Sequence, residues 1–386
     1  MNLLTGKIVQ ALCWMLIHSL WQGLLMAVLT GIVMIATKKS GSVIRYRLLS
    51  GIFLVFISGA VITFYIQLQG TPGAVQQQAV NIPAAINTVV PSQPLGGTAY
   101  TPAATGSNTL QDYVRNFEEY FNTHASLIVT IWFIIFMARC VKILSGIVHL
   151  QRIRHYKTSP VPGFWQQRIS ILAKRLNIRR PVFLLESALI KVPAVVGFLK
   201  PTILVPIGLL NNLSQEEAES ILMHELAHIW RKDYLFNLLQ CFVDVIFFFN
   251  PAVLWVSSLI RNERENCCDD IAIIETKSKK QFVQALVSFH QYNNAAPKYA
   301  MPFAERKSKL VDRVKRIVNN NNTTLNPAEK IVLVGCLIVF GLALVTVSNG
   351  QAEKKKAPQH KAASATEQQD TSRPGKQPQK IAGAGD

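Results

Sequence analysis

The stretch ILMHELAHIW, residues 221–230, contains two histidines four positions apart, His224 and His228, with Glu225 between them. Residues four apart lie on one face of an α-helix, so both imidazoles can reach the same Zn²⁺. Glu225 turns away from that face, where its carboxylate can take a proton from a water molecule at the metal. The spacing therefore predicts two zinc ligands and a general base. The competing interpretation is a pair of packed core histidines.

The third ligand is expected on a helix that returns toward the first one. The apolar run 238–260 is long enough to resemble a membrane span, but Asp244 and the Asn250-Pro251 break favour a helical hairpin. At about 1.5 Å per residue, the return arm comes level with His228 near position 265, which is a glutamate. Two histidines and a carboxylate form the ligand set of a catalytic zinc, so we assign Glu265 to the metal. The alternative for this residue is an ordinary surface charge.

Two aspartates and two cysteines lie close to these ligands in the sequence. Asp269 follows Glu265 by one helical turn on the same face, where it can accept the outer N–H of a ligating histidine. Asp233, just past the second histidine, is open to three interpretations: a helix cap, an orienting group or a solvated charge. Cys267 and Cys268 are interpreted as packing residues, because paired thiolates would close the open coordination position.

The surrounding elements are those of a membrane protein. The chain of 386 residues is 49% hydrophobic with a mean hydropathy of +0.23. Four stretches approach the roughly 20 apolar residues that cross a bilayer: residues 8–36, 48–67, 125–147 and 331–348. The first stretch is too long for a signal-peptide core, and no small-residue cleavage site follows it, so we interpret it as a retained span.

Lysine and arginine near the span ends predict the orientation of the chain. The first short loop contains basic residues that place it in the cytoplasm and the N-terminus outside: Lys38, Lys39, Arg45 and Arg47. The segment 152–180, after the third span, contains eight basic residues and no acidic one, so residues 149–330 are predicted to be cytoplasmic. The run Lys354 to Lys356 disagrees, because it follows the fourth span on the side predicted to be outside.

The charge and the cysteines exclude two other classes of protein. We interpret the net charge of +18 as charge that flanks spans and meets anionic lipid, and we expect no direct nucleic-acid partner. The six cysteines have no zinc-finger spacing and imply no disulfide framework.

The predicted cytoplasmic segment, residues 149–330, contains the mixture of helical and extended patterns that is typical of a globular domain. A helical pattern over 164–178 precedes three extended runs at 181–187, 193–198 and 202–206. Ser214 and Glu217 then form a capping box that starts the helix with the histidines.

These patterns divide the chain into six parts. They are two N-terminal transmembrane helices (1–67), an external and partly disordered loop (68–124), a third transmembrane helix (125–148), a cytoplasmic zinc peptidase domain (149–330), a fourth transmembrane helix (331–348) and a disordered tail (349–386). The sequence 110–121 is interpreted as an amphipathic helix that leads into the third span.

Five motifs occur together and in order: HSLWQG (18–23), VVGFLKPTILVP (195–206), HELAHIWRKD (224–233), NPAVLW (250–255) and ERENCCD (263–269). In this combination the chain resembles the BlaR/MecR-type membrane metallopeptidases, the beta-lactam-sensor family. The resemblance implies zinc at His224, His228 and Glu265, with Glu225 catalytic. It also implies that an outside signal activates a cytoplasmic peptidase, which cleaves itself and inactivates a DNA-binding repressor.

One departure from that family concerns sensing. Family members that sense beta-lactams carry a penicillin-binding domain with a Ser-x-x-Lys nucleophile after the last span. Only about 36 residues follow the fourth predicted span here, and they lack this motif. We therefore expect no such sensor domain and leave the activating signal unassigned.

The prediction is a mainly α, multi-pass protein of the cell (inner) membrane with four transmembrane helices and a cytoplasmic α+β zinc endopeptidase domain of gluzincin type. Its expected role is signalling by regulated proteolysis, and its expected substrate is a cytoplasmic repressor or the chain itself. The substrate would lie along an edge strand at 193–198. Two alternatives stay open: a quality-control protease for membrane proteins, and a non-catalytic signalling scaffold. A homodimer is also left open.

Overall fold

The computed structural model describes residues 2–69, 109–197, 200–295, 307–322, 325, 329–335 and 337–338. Residues 70–108 of the predicted external loop (68–124), the tail at 349–386 and most of the fourth predicted span lie outside the described residues. The chain divides into the units Met1–Leu325 and Asn326–Asp386, and the elements below belong to the first.

The first three elements are long helices: α1 Asn2–Ala36, α2 Ser42–Gln69 and α3 Thr109–His155. Within the described residues, these three are long and apolar enough to cross a membrane. Large apolar side chains such as Val55 (70% exposed) and Ile134 (62% exposed) lie on their surfaces, as expected for helices that face lipid. The predicted amphipathic helix and the predicted third span form one continuous helix, α3.

A small sheet follows α3. Its strands are β1 Thr158–Pro160, β2 Phe183–Ser187, β3 Ala194–Val196 and β4 Thr202–Pro206, in the order β1-β2-β4-β3. The β2–β4 pair is parallel and the two outer pairs are antiparallel. The three predicted extended runs are therefore confirmed as strands, and the middle one, β3, lies at an edge. The sequence analysis missed β1, whose three residues have no alternating pattern.

The remaining described helices pack around this sheet and one another: α4 Gly163–Arg175, α5 Gln215–Arg231, α6 Asp233–Ile246, α7 Pro251–Thr276, α8 Lys279–Ala295 and α9 Lys307–Asn319. Leu222 and Leu226 of α5 are fully buried in a core that also contains Ile203 and Val205 of β4. This apolar packing fixes one face of α5, so the opposite face is left for chemistry.

The predicted hairpin is confirmed, because α6 ends at Ile246 and α7 begins at Pro251. Asn250 caps α7 by accepting hydrogen bonds from two backbone N–H groups of its first turn. The carboxylate of Asp244 in α6 accepts a hydrogen bond at 2.9 Å from Arg261 in α7 and so joins the two arms. The polar residues that argued against a span therefore hold the hairpin together.

The tip of the hairpin lies among the three long helices. Asn250 donates a hydrogen bond of 2.8 Å to the carbonyl of Ser19 in α1. Phe247 packs edge to face against Phe56 of α2, and the indole N–H of Trp132 in α3 donates to the carbonyl at 246. Helix α7 thus runs from inside the helical bundle to the globular part of the chain.

The opposite end of α7 meets the loop between α1 and α2. The buried guanidinium of Arg45 in α2 lies 3.2 Å from the buried carboxylate of Glu263. The hydroxyl of Ser42 donates to Asp270, and the backbone N–H of Asn322 donates to the carbonyl of Lys38. The first short loop and the C-terminal half of α7 are therefore neighbours.

Candidate metal centre

Helix α5 presents both histidines on one face. It begins at the predicted capping box: Ser214 accepts from the backbone N–H of Glu217, whose carboxylate accepts from the N–H of Ser214. The rings of His224 and His228 lie 5.0 Å apart between centroids and are almost perpendicular. Since the helix carries its apolar residues toward the sheet, the imidazoles face α7 instead.

Glu265 of α7 reaches both imidazoles. Its Oε2 atom lies 3.5 Å from Nε2 of His224 and 3.6 Å from Nε2 of His228. Ligand atoms placed around a tetrahedral zinc at normal bond lengths are about 3.4 Å apart, so both of these distances are close to what the ion requires. All three ligand atoms lie within 4.8 Å of one another. The Glu265 side chain is 36% exposed, which leaves an opening on one side of the trio.

The three side chains of this trio shift one another's pKa values toward the charged forms. Burial raises the pKa of the Glu265 carboxyl, but hydrogen bonds from the two histidines outweigh burial and hold it well below its ordinary value. Burial lowers the pKa of His228, but its contacts with Asp233, Cys268 and Glu265 raise it well above the ordinary value. A divalent cation bound by the three side chains would interact favourably with the same carboxylate, since metal binding takes the place of protons on its ligands.

Each histidine also meets an aspartate at its other ring nitrogen. Nδ1 of His224 lies 3.0 Å from Oδ1 of Asp269, and Nδ1 of His228 lies 2.9 Å from Oδ2 of Asp233. A carboxylate at Nδ1 holds the proton on that nitrogen and leaves Nε2 free to bind a metal. Of the three interpretations left open for Asp233, the contact favours the orienting group. The carboxylate of Asp269 lies within hydrogen-bond distance of His224, and its orienting role at a metal stays a prediction.

Glu225 is 9% exposed, and the part of the chain that the structure describes offers its carboxylate no hydrogen bond or ion pair. Helix α5 packs beside the edge strand β3.

Two arginines complete the surroundings of the aspartates. Nε of Arg231 lies 3.2 Å from Oδ1 of Asp233, and Arg313 of α9 donates to both oxygens of Asp269. Sequence reasoning assigned neither arginine. The first could have been noticed from its position two residues before Asp233, whereas nothing in the sequence links residues 313 and 269.

Cys268 also lies closer to the site than expected. Its sulfur is 3.3 Å from Nδ1 of His228 and 3.5 Å from Oδ2 of Asp233, so these three groups form a second cluster of possible ligand atoms. Burial raises the pKa of the thiol to about 12, and a neutral thiol is a poor zinc ligand. The side chain is fully buried, in agreement with the predicted packing role.

Comparisons with known proteins identify a family and several similar proteins. The family model described as BlaR1 peptidase M56 matches residues 15–317. The regulatory protein BlaR1 of Bacillus licheniformis is 27% identical over 182 residues, which are 46% of this chain and 29% of that protein. The methicillin resistance mecR1 protein of Staphylococcus aureus is 24% identical over 164 residues, 40% of this chain and 27% of that protein. The match therefore spans less than a third of these relatives.

Among solved structures, the crystal structure of Ste24p from S. mikatae matches 57% of this chain and 61% of that one. The sequence identity is 15% and the TM-score is 0.23, a value too low to argue from.

Proposed function

The chain belongs to the BlaR1 peptidase M56 family, a family of metallopeptidases, and from this premise we propose that it is a zinc endopeptidase of the cell membrane. His224, His228 and Glu265 would hold the zinc, and Glu225 would act as general base. The observation that carries the proposal is the position of one Glu265 oxygen within 3.6 Å of both Nε2 atoms. Beside this trio, Glu225 has no hydrogen-bond or ion-pair partner among the described residues.

The donor set favours zinc among the common metals. Two imidazole nitrogens and one carboxylate oxygen with an open position are typical of catalytic zinc, whereas Ca²⁺ and Mg²⁺ prefer oxygen ligands alone. Zinc held there would supply Lewis acidity toward a peptide carbonyl and toward water.

The side chains of this site would carry the proton transfers. Glu225 accepts a proton from the attacking water and delivers it to the peptide nitrogen as the C–N bond breaks. Asp269 and Asp233 keep the imidazole rings in one orientation through their Nδ1 atoms. A substrate strand paired with β3 would hold the scissile carbonyl beside α5, because backbone pairing fixes both the depth and the direction of the peptide.

We also propose that the metal centre is cytoplasmic. The contacts of Lys38 and Ser42 with the C-terminal part of the domain support this, since they put the basic first loop on the same side as the metal centre. Basic short loops remain in the cytoplasm. We further propose that residues 331–348 form a fourth span and that the peptidase domain is of gluzincin type.

The biological role that we propose is signalling by regulated proteolysis. The similar proteins are named as a regulatory protein and a methicillin resistance protein, which supports a regulatory role for this chain. The substrate would be a cytoplasmic transcriptional repressor or the chain itself.

The proposal is tested by proteomics of cells that express the wild type or the variant Glu225→Gln at equal levels. The expected result is one or a few protein fragments, among them a repressor or this chain, that accumulate only with the wild type. Broad stabilisation of many misfolded membrane proteins in the variant would favour quality control instead. Identical proteomes under activating overexpression would favour the scaffold.

A further inference from the structure

Asp269 is a fully buried carboxylate with two kinds of partner. Its Oδ1 atom lies 3.0 Å from Nδ1 of His224. Arg313 of α9 donates from Nε to Oδ2 at 3.0 Å and from Nη2 to Oδ1 at 2.6 Å. The two N–H groups of one guanidinium therefore bind both oxygens of the carboxylate, and His224 lies beside the oxygen that accepts from Nη2.

The bidentate pair between Arg313 and Asp269 fixes the orientation of the carboxylate in addition to pairing its charge. The planar guanidinium holds the plane of the carboxylate, which a single hydrogen bond would leave free to rotate. Because the Arg313 side chain is 13% exposed and Asp269 is fully buried, water cannot readily replace the arginine. The direction in which Oδ1 of Asp269 faces His224 is therefore set by α9.

We propose that Arg313 is a positioning residue for the metal centre, which acts through Asp269 to hold the imidazole of His224 in its metal-binding orientation. This inference rests on the proposed function, because it requires His224 to be a metal ligand. It makes α9 part of the peptidase site, although α9 follows α7 and α8 in the chain and none of its described side chains belongs to the metal-binding trio.

The two histidines differ in where the arginine that pairs with their aspartate comes from. Asp233, the partner of His228, lies beside Arg231 of the helix that carries the histidines. Asp233 and Arg231 are only two residues apart at the end of α5, so this pair needs no distant helix. The His224 side depends on α9 instead, so the geometry of one ligand requires that this separate helix be docked.

The structure offers a matched control on the same two helices. Arg316, one turn after Arg313 in α9, pairs with Asp270, the residue next to Asp269 in α7. Asp270 also accepts a hydrogen bond from Ser42 of α2, and it has no contact with either histidine among the described residues. Loss of either arginine removes one ion pair between α7 and α9, but only Arg313 leads to a ligand.

The experiment measures zinc affinity by competition with a chelator in full-length protein purified in detergent. Arg313→Gln should weaken binding about 10- to 100-fold, as is usual when a group that orients a ligand is lost. Arg316→Gln should change it less than about threefold, within the range of a substitution outside the site. Arg313→Lys should restore part of the affinity, because lysine supplies a charge but no bidentate pair.

A double-mutant cycle with Asp269→Asn separates positioning from general destabilisation. If Arg313 acts through Asp269, Arg313→Gln should weaken zinc binding little further in the Asp269→Asn background. Additive losses, or equal losses in the Arg313 and Arg316 variants, would overturn the inference and leave the metal site in place. No zinc binding by the wild type would instead overturn the proposed metal site, and this inference with it.

Discussion

Nε2 of His224 on α5 and Oε2 of Glu265 on α7 lie 3.5 Å apart, although the two residues belong to helices separated by the whole of α6. The α6–α7 hairpin produces this proximity, because its return arm is long enough to come level with the histidines. The ligand set thus depends on a helix whose first turn lies in the membrane bundle.

Removal of Glu265 should weaken the metal site. We expect the purified wild type to hold about one zinc per chain, and Glu265→Ala to bind it at least about 100-fold more weakly, since a lost ligand costs more than a lost orienting group. Glu216→Ala, which removes an exposed carboxylate at the start of α5, is the control. Full zinc retention by Glu265→Ala at matched free zinc would remove this residue from the site.

Glu225→Gln should separate metal binding from catalysis. Glutamine keeps the size and polarity of the side chain but cannot accept the proton, so proteolysis should fall by about 10²- to 10⁴-fold. Zinc content and the unfolding midpoint should stay at wild-type values. The assay follows self-cleavage, expected between residues 277 and 306; within this stretch 279–295 form α8, and 296–306 lie outside the described residues. Loss of zinc from this variant would contradict the assigned roles.

Arg45→Met should destabilise the protein strongly. The pair Arg45–Glu263 is buried, with side chains 0% and 2% exposed, and loss of one partner leaves an uncompensated charge. Breaking such a pair costs about 3–5 kcal/mol. The double variant Arg45→Met/Glu263→Leu should recover most of this loss. Denaturation midpoints in detergent measure both, and a double variant no better than the single one would refute the charge argument.

Gly23→Ala should loosen the contact between α1 and the hairpin tip. A Cβ atom at Gly23 would lie 2.5 Å from Nδ2 of Asn250, whose side chain is already held by the Ser19 carbonyl and by the start of α7. Such overpacking costs about 1–3 kcal/mol. Gly51→Ala in α2 is the control, because nothing lies within 4 Å of its Cβ position. Equal unfolding midpoints for the two variants would argue against a tight contact here.

The topology can be measured with reporter fusions. A reporter at Asn212, before α5, should be cytoplasmic, and one at Gly96, in the stretch outside the described residues, should be external. The basic loop between α1 and α2 gives the physical reason. If both reporters are found on the same side of the membrane, the second or third span is wrongly assigned.

The sequence by itself determined the features that depend on local geometry. The four-residue spacing of His224 and His228 puts both on one helix face whatever surrounds them. Asn250-Pro251 breaks the apolar run because proline lacks an amide proton, and the rise per residue then brings Glu265 level with the histidines. Apolar length predicted four spans, since a bilayer sets the minimum length of a crossing, and the first three of them lie within α1, α2 and α3.

Only the tertiary structure decided which distant groups meet. The contact of Arg313 with Asp269 and that of Asn250 with Ser19 join residues whose separation in the chain follows no helical or strand period. The contact that favours an orienting role for Asp233 also required the turn at Lys232, whose left-handed backbone (φ 58°) brings the carboxylate back to His228. Such contacts depend on how whole helices pack, and helix packing is settled by summed side-chain shape rather than by any one residue.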